Sequence, residues 1–101
     1  MTDEQIRDAM VRERIKPHRA ELYVSRFSAL PTLRAALVRV LTDPVALPQL
    51  SIRGVRLADV VKGQGYRPLP ALLILLVLAE DEAKGRKLLA MRRDTYRGQP
   101  T

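Results

Sequence analysis

The chain contains no cysteine, no tryptophan, one phenylalanine and one histidine. Without cysteine there are no disulfides, thiolate metal sites or thiol nucleophiles, which fits a reducing cytoplasm. The lone histidine, His18, stands between Pro17 and Arg19 in a basic stretch. One histidine with no cysteine builds neither a zinc site nor a catalytic triad, so His18 reads as a surface residue. Ser25, Ser28 and Ser51 have no base nearby in sequence. Gly63 and Gly65 fall short of a dinucleotide or P-loop fingerprint, each of which needs more glycines and a preceding strand. The acidic run Glu80, Asp81 and Glu82 reads as a solvated turn, because adjacent helical positions diverge. No enzyme activity, cofactor or metal is expected from this inventory.

Long apolar runs are also missing. Leu69 to Ala79 is free of charge but covers only eleven residues, one of them Pro70. A membrane-spanning helix needs roughly 20. The run also lies too far from the N-terminus for a signal peptide. It therefore predicts a helix buried on most sides, since that is where a helix apolar all round is stable. Sustained period-two alternation, low-complexity tracts and 20-to-50-residue repeats are not apparent either.

What is abundant is positive charge. Eighteen Lys and Arg face eleven Asp and Glu in 101 residues, a formal net charge of +7, and fourteen of the eighteen are Arg. A small, strongly basic domain suits a polyanion. Codon composition favouring Arg, Ala, Val and Leu would give a similar excess. With 47% hydrophobic residues the chain can build a core. Its length suits one domain, here read as residues 1–94 with a frayed tail at 95–101.

The pattern is all-α, a small single-domain bundle of five or six helices. Residues 1–16 read as a basic N-terminal helix, with Thr2 and Gln5 spaced for a capping box. Its apolar positions are Ile6, Met10 and Ile15, with Ala9 and Val11 beside them, and Arg12 and Arg14 lie off that stripe. Pro17 breaks it. A second helix follows from about His18 to Ala29, with Leu22, Tyr23, Phe27 and Leu30 expected in the core. A third places Leu33, Leu37, Val40 and Leu41 on one face. Residues 44–54 read as a loop pinned by Leu47, Leu50 and Ile52. A fourth helix is expected over 55–62 with Gly63 as its stop. Pro68 or Pro70 opens the apolar helix. The acidic run leaves two readings open, one long helix or two, and Gly85 weakens the first.

The best candidate site is the helix, glycine turn and helix around residues 62–70. A helix start accepts anions through unpaired N–H groups. Glycines at 63 and 65 remove side chains that would hold a phosphate away, and Lys62 and Arg67 can add charge-assisted bonds. Arg53 and Arg56, just upstream, extend the patch. Tyr66 is one of two tyrosines near basic residues. Pro68 and Pro70 remove two donors from the helix start, so less of the dipole is usable here. A plain helix-to-helix turn explains the same residues without a ligand.

Several short segments resemble the actinobacterial integration host factors, small basic nucleoid proteins built on a helix-two-turn-helix core. "TDEQ" at residues 2–5, "RAEL" at 19–22, "RVLTD" at 39–43 and the layout of "VRLADVVKGQGYRPLPALLIL" carry the resemblance. The family has one glycine in a "PKVGKVKA"-like turn, and its first helix is long and Ala-rich, whereas Pro17 cuts the helix here. The resemblance implies that Lys62, Gly63, Gly65 and Arg67 match a DNA-contacting turn. It sets Arg92, Arg93 and Arg97 against a C-terminal "RRxRGLG"-like arm. It also implies binding to duplex DNA with little sequence preference, DNA bending, and a place in the bacterial nucleoid.

The expected function is thus a non-enzymatic, nucleoid-associated or phage-derived double-stranded DNA-binding protein. The expected contacts are Arg53, Arg56, Lys62, Gly63, Gly65, Tyr66 and Arg67, with Arg12, Arg14, Arg92 and Arg93 as supplementary ones. No membrane partner is expected, and a homo-oligomer is compatible with the apolar helix. One alternative is a protein-interaction adaptor or regulatory subunit that oligomerises through that helix. Another is an RNA-binding protein.

Overall fold

The computed structural model of the chain describes residues 1–43 and 45–98, with the side chains of Gln64 and residues 91–98 outside the description. Among the described residues the fold is all-α apart from one small hairpin. Its elements are α1 (Asp3–Arg12), α2 (Pro17–Ser28), α3 (Pro31–Thr42), β1 (Ser51–Ile52), β2 (Val55–Arg56), α4 (Leu57–Gln64), α5 (Pro68–Glu80) and α6 (Glu82–Gly98). The chain groups into two compact units, Met1–Ala46 and Leu47–Thr101.

In the first unit α1, α2 and α3 each pack on the other two. The Thr2–Gln5 capping box forms in both directions, the Thr2 hydroxyl accepting from the Gln5 N–H and the Gln5 amide accepting from that of Thr2. Ile6, Ala9 and Met10 make the buried stripe of α1. The helix stops at Arg12, four residues before the expected end. Ile15 N–H donates to the Met10 carbonyl and Arg14 N–H to that of Val11. This is the Schellman closure, which needs a left-handed residue between. Arg14 occupies that place at φ 71°.

In α2, Ala20, Val24 and Phe27 are buried at i, i+4 and i+7. Leu22, expected in the core, is instead 63% exposed. It lies two residues from both Ala20 and Val24, and so on the far side of their stripe. In α3 the buried residues are Leu33, Ala36, Leu37 and Val40. Arg34 reaches back to Asp3 at 3.0 Å and to the Met1 carbonyl at 3.0 Å.

The second unit begins at Leu47 with a short loop as expected, its Leu50 buried, but the chain from Ser51 forms a hairpin where the loop was expected to continue. Ser51 pairs with Arg56 and Ile52 with Val55, antiparallel. The two turn residues, Arg53 (φ 50°) and Gly54 (φ 83°), are both left-handed, as a primed two-residue hairpin turn requires. Because Val55 and Arg56 join the hairpin, α4 starts at Leu57 rather than at 55. It ends at Gly65, φ 69°, while Gly63 lies within the helix.

Pro68 opens α5 at its first position. Leu69, Ala71, Leu72, Leu75, Leu76 and Leu78 are buried and the remaining apolar residues are half-buried, so no stripe exists. Asp81 separates α5 from α6, which decides between the two readings of the acidic run. Its backbone is extended (φ −151°), and its carboxylate accepts from the Lys84 N–H at 3.1 Å. Gly85 is buried against α5, where a Cβ would lie 2.4 Å from Leu78 Cα. Glycine is there for close packing between helices. α6 continues to Gly98, so residues 95–98, expected in a tail, are helical; 99–101 lie outside the described residues. Among the described residues no helix is long and apolar enough to cross a membrane.

Candidate nucleic-acid interface

The turn between α4 and α5 starts from local chemistry. Val60 is buried and anchors the last turn of α4. Gly65 then turns the chain in the left-handed region, which costs a residue with a Cβ roughly 1 kcal/mol more than glycine. Arg67 is the N-cap of α5 in an extended conformation, without a side-chain capping bond. Pro68 holds the first helical position.

This bend is open to solvent. Lys62, Gly63, Gly65 and Arg67 are exposed, and Tyr66 is half-buried. A Cβ added at Gly63 would meet nothing within 4 Å. Among the described residues neither Lys62 nor Arg67 makes an ion pair. The start of α5 itself is a poor anion site. Pro68 and Pro70 carry no N–H, and Ala71 N–H already donates to the Arg67 carbonyl. Leu69 supplies the single free donor of that turn, on a buried residue. Any attraction for an anion therefore comes mainly from the Lys62 and Arg67 side chains.

The two upstream arginines behave differently from the turn. Arg53 Nε donates to the Leu78 carbonyl at 3.0 Å and Nη2 to that of Ala79 at 3.3 Å, while Nη1 lies 3.6 Å from Glu82. The Arg53 guanidinium thus caps the C-terminus of α5, where the helix dipole is negative and no basic residue of α5 itself stands. Arg53, expected to extend the phosphate-facing patch, has these donors engaged within the unit while its side chain stays 45% exposed. Arg56 forms a two-bond pair with Asp59, at 3.0 and 3.3 Å. That hydrogen bond, and then the charge of Asp59, raise the Arg56 pKa above its usual range. The pair is fully solvated, and its net charge is zero. A groove of about 440 Å³ between Leu47 and Ala58 is bordered by Arg56.

Of the acidic run, Asp81 caps α6 and Glu82 holds Arg86 at 3.0 Å. In the first unit Arg12 and Arg14 are exposed at the end of α1, with no ion pair among the described residues. Lys16, exposed as well, joins them. Arg92 and Arg93 lie on α6, with side chains outside the described residues.

No protein-family model, characterised protein or solved structure matches the chain.

Proposed function

We propose that the chain is a non-enzymatic protein that binds duplex DNA through its phosphate backbone, with little sequence preference. The observation that carries this reading is the exposed α4–α5 turn. Lys62 and Arg67 flank it without an acidic partner among the described residues, and Gly63 and Gly65 leave its backbone bare. Phosphate contacts position a protein on DNA without reading bases, and two bare cations beside small residues are suited to that task. The net charge of +7 adds long-range attraction. Arg12 and Arg14 supply further charge. The resemblance to the integration host factors points the same way and adds DNA bending and the nucleoid as the place of action.

The test is a titration of a labelled duplex at two salt concentrations. Binding through Lys62 and Arg67 releases counterions, so affinity falls as salt rises, by about 0.9 in the log–log slope for each phosphate contacted. Arg67→Glu weakens binding several-fold, whereas Arg39→Glu, on the exposed side of α3, does not. A flat salt response, or equal effects of the two substitutions, refutes a contact at this turn.

A further inference from the structure

The two compact units share one layout. Each contains three helices that pack pairwise on one another, and the second adds the β1–β2 hairpin. Pro17 opens α2 and Pro68 opens α5, and in both helices proline takes the first position after an extended basic N-cap, Lys16 or Arg67. The offset between these prolines is 51 residues, and the first residues of α3 and α6, Pro31 and Glu82, keep that same offset of 51. At that offset five buried pairs in the first two helices of each unit correspond, whereas in the third helices the buried Leu33 and Ala36 fall opposite the exposed Lys84 and Lys87. Ile6 matches Leu57, Ala9 matches Val60, Ala20 matches Ala71, Val24 matches Leu75 and Phe27 matches Leu78, all ten buried. Asp8 matches Asp59, though their arginine partners, Arg7 and Arg56, do not stand at matching positions. The left-handed residues correspond as well, Arg14 (φ 71°) with Gly65 (φ 69°), each three residues before its proline. Few of the matched residues are identical, which is why the repeat is not visible in the sequence.

We infer that the chain is a doubled three-helix unit with two equivalent polyanion-binding turns, the α1–α2 turn binding DNA phosphates through Arg12, Arg14 and Lys16 as a site in its own right. This rests on the reading of the α4–α5 turn given above and extends it from one contact to two. The charge agrees with the architecture. Arg12, Arg14 and Lys16 are all exposed, and none makes an ion pair among the described residues. Glu13 is the one acid between them, and the nearest downstream acid, Glu21, faces Arg7 at 3.4 Å. The two turns reach the same end differently. At 65 the left-handed residue is glycine and the charge sits beside it on Lys62 and Arg67. At 14 the left-handed residue is itself the cation, so the corner of the turn carries the charge. The α1–α2 turn does not depend on free backbone donors, since its own N–H groups at 14 and 15 are used in closing α1.

The experiment measures the salt dependence of duplex binding by the full chain and three variants. Arg12→Gln with Arg14→Gln and Lys16→Gln neutralises the first turn. Lys62→Gln with Arg67→Gln neutralises the second. Arg39→Gln is a control for diffuse charge, and circular dichroism checks that all remain folded. The expected loss of log–log slope is about 2.7 for the first turn and about 1.8 for the second, from 0.9 per phosphate contact, and near zero for Arg39. The losses add when both turns are neutralised. An unchanged slope in the first-turn variant, with a loss in the second, overturns the two-turn inference and leaves the DNA-binding reading standing. An equal loss per charge for Arg39→Gln overturns it in favour of diffuse attraction. Absence of binding by the unaltered chain at low salt removes both readings together.

Discussion

Replacing Arg53 with alanine tests whether this residue belongs to the fold or to the ligand. In the structure its guanidinium makes one part-buried bond to the Leu78 carbonyl at 3.0 Å and a more exposed one to Ala79 at 3.3 Å. A bond from a charged donor is worth about 1.5 kcal/mol at the low end of its range. The exposed bond adds roughly 0.5 kcal/mol on the same scale. The Glu82 contact, at 3.6 Å between side chains 45% and 47% exposed, adds only a few tenths of a kcal/mol after solvent screening. Arg53→Ala should therefore cost about 2 kcal/mol. For a domain of this size that lowers Tm by roughly 8–16 °C. Arg53→Gly removes the same side-chain bonds but suits φ 50° better, recovering about 1 kcal/mol. The expected order of Tm is the unaltered chain, then Arg53→Gly, then Arg53→Ala, read by circular dichroism at low and high salt. A Tm for Arg53→Ala within about 2 °C of the unaltered chain would refute the capping argument. A large drop in DNA affinity without loss of stability would return Arg53 to the interface.

Gly85→Ala forces a Cβ to 2.4 Å from Leu78 Cα. Neither backbone can yield cheaply, and the expected loss is about 3 kcal/mol, visible as a lower midpoint in urea. Gly63→Ala should do the opposite to stability, because its Cβ meets open space inside α4. A gain of up to about 1 kcal/mol is expected, together with weaker DNA binding if phosphate approaches the backbone there; unchanged affinity would place the contact on side chains alone. Arg14→Gly relieves a left-handed arginine and should raise stability by about 1 kcal/mol. It should also reduce the salt slope of DNA binding by about 0.9.

Much of the fold was readable because its signals are local. The Thr2–Gln5 box, the prolines at helix starts and the apolar run of α5 need only a few neighbouring residues to act. The hairpin was hidden because two-residue strands are too short to alternate, and Arg53–Gly54 is not among the strong turn pairs such as Asn-Gly. Gly85 looked like a weak point in a helix; its reason lies on Leu78, in another helix. The capping bonds of Arg53 have no local sign for the same cause, since its partners are carbonyls 25 and 26 residues on. Within the turn, exposure of Lys62 and Arg67 followed from composition. The register of the stop did not, because Gly63 and Gly65 are both eligible until the hairpin fixes where α4 begins.

The distribution of acids separates two kinds of arginine. Asp3 holds Arg34, Asp8 and Glu21 hold Arg7, Asp59 holds Arg56, and Glu82 holds both Arg53 and Arg86. These pairs lie on helix faces, or at a helix end in the case of Arg53. Arg12, Arg14, Lys16, Lys62 and Arg67, which flank the two turns, have no such partner among the described residues. Arg19, Arg39, Lys84 and Lys87 are likewise without one, so lack of a partner alone does not define a site. What distinguishes the turns is that uncompensated charge coincides with a left-handed residue and a proline-started helix at both places. Codon bias can supply arginine in excess, but it has no means of sorting it by turn. The two classes should therefore separate in experiment. Neutralising Arg34 or Arg53 should move Tm and leave the salt slope alone, and neutralising Lys16 or Arg67 should do the reverse.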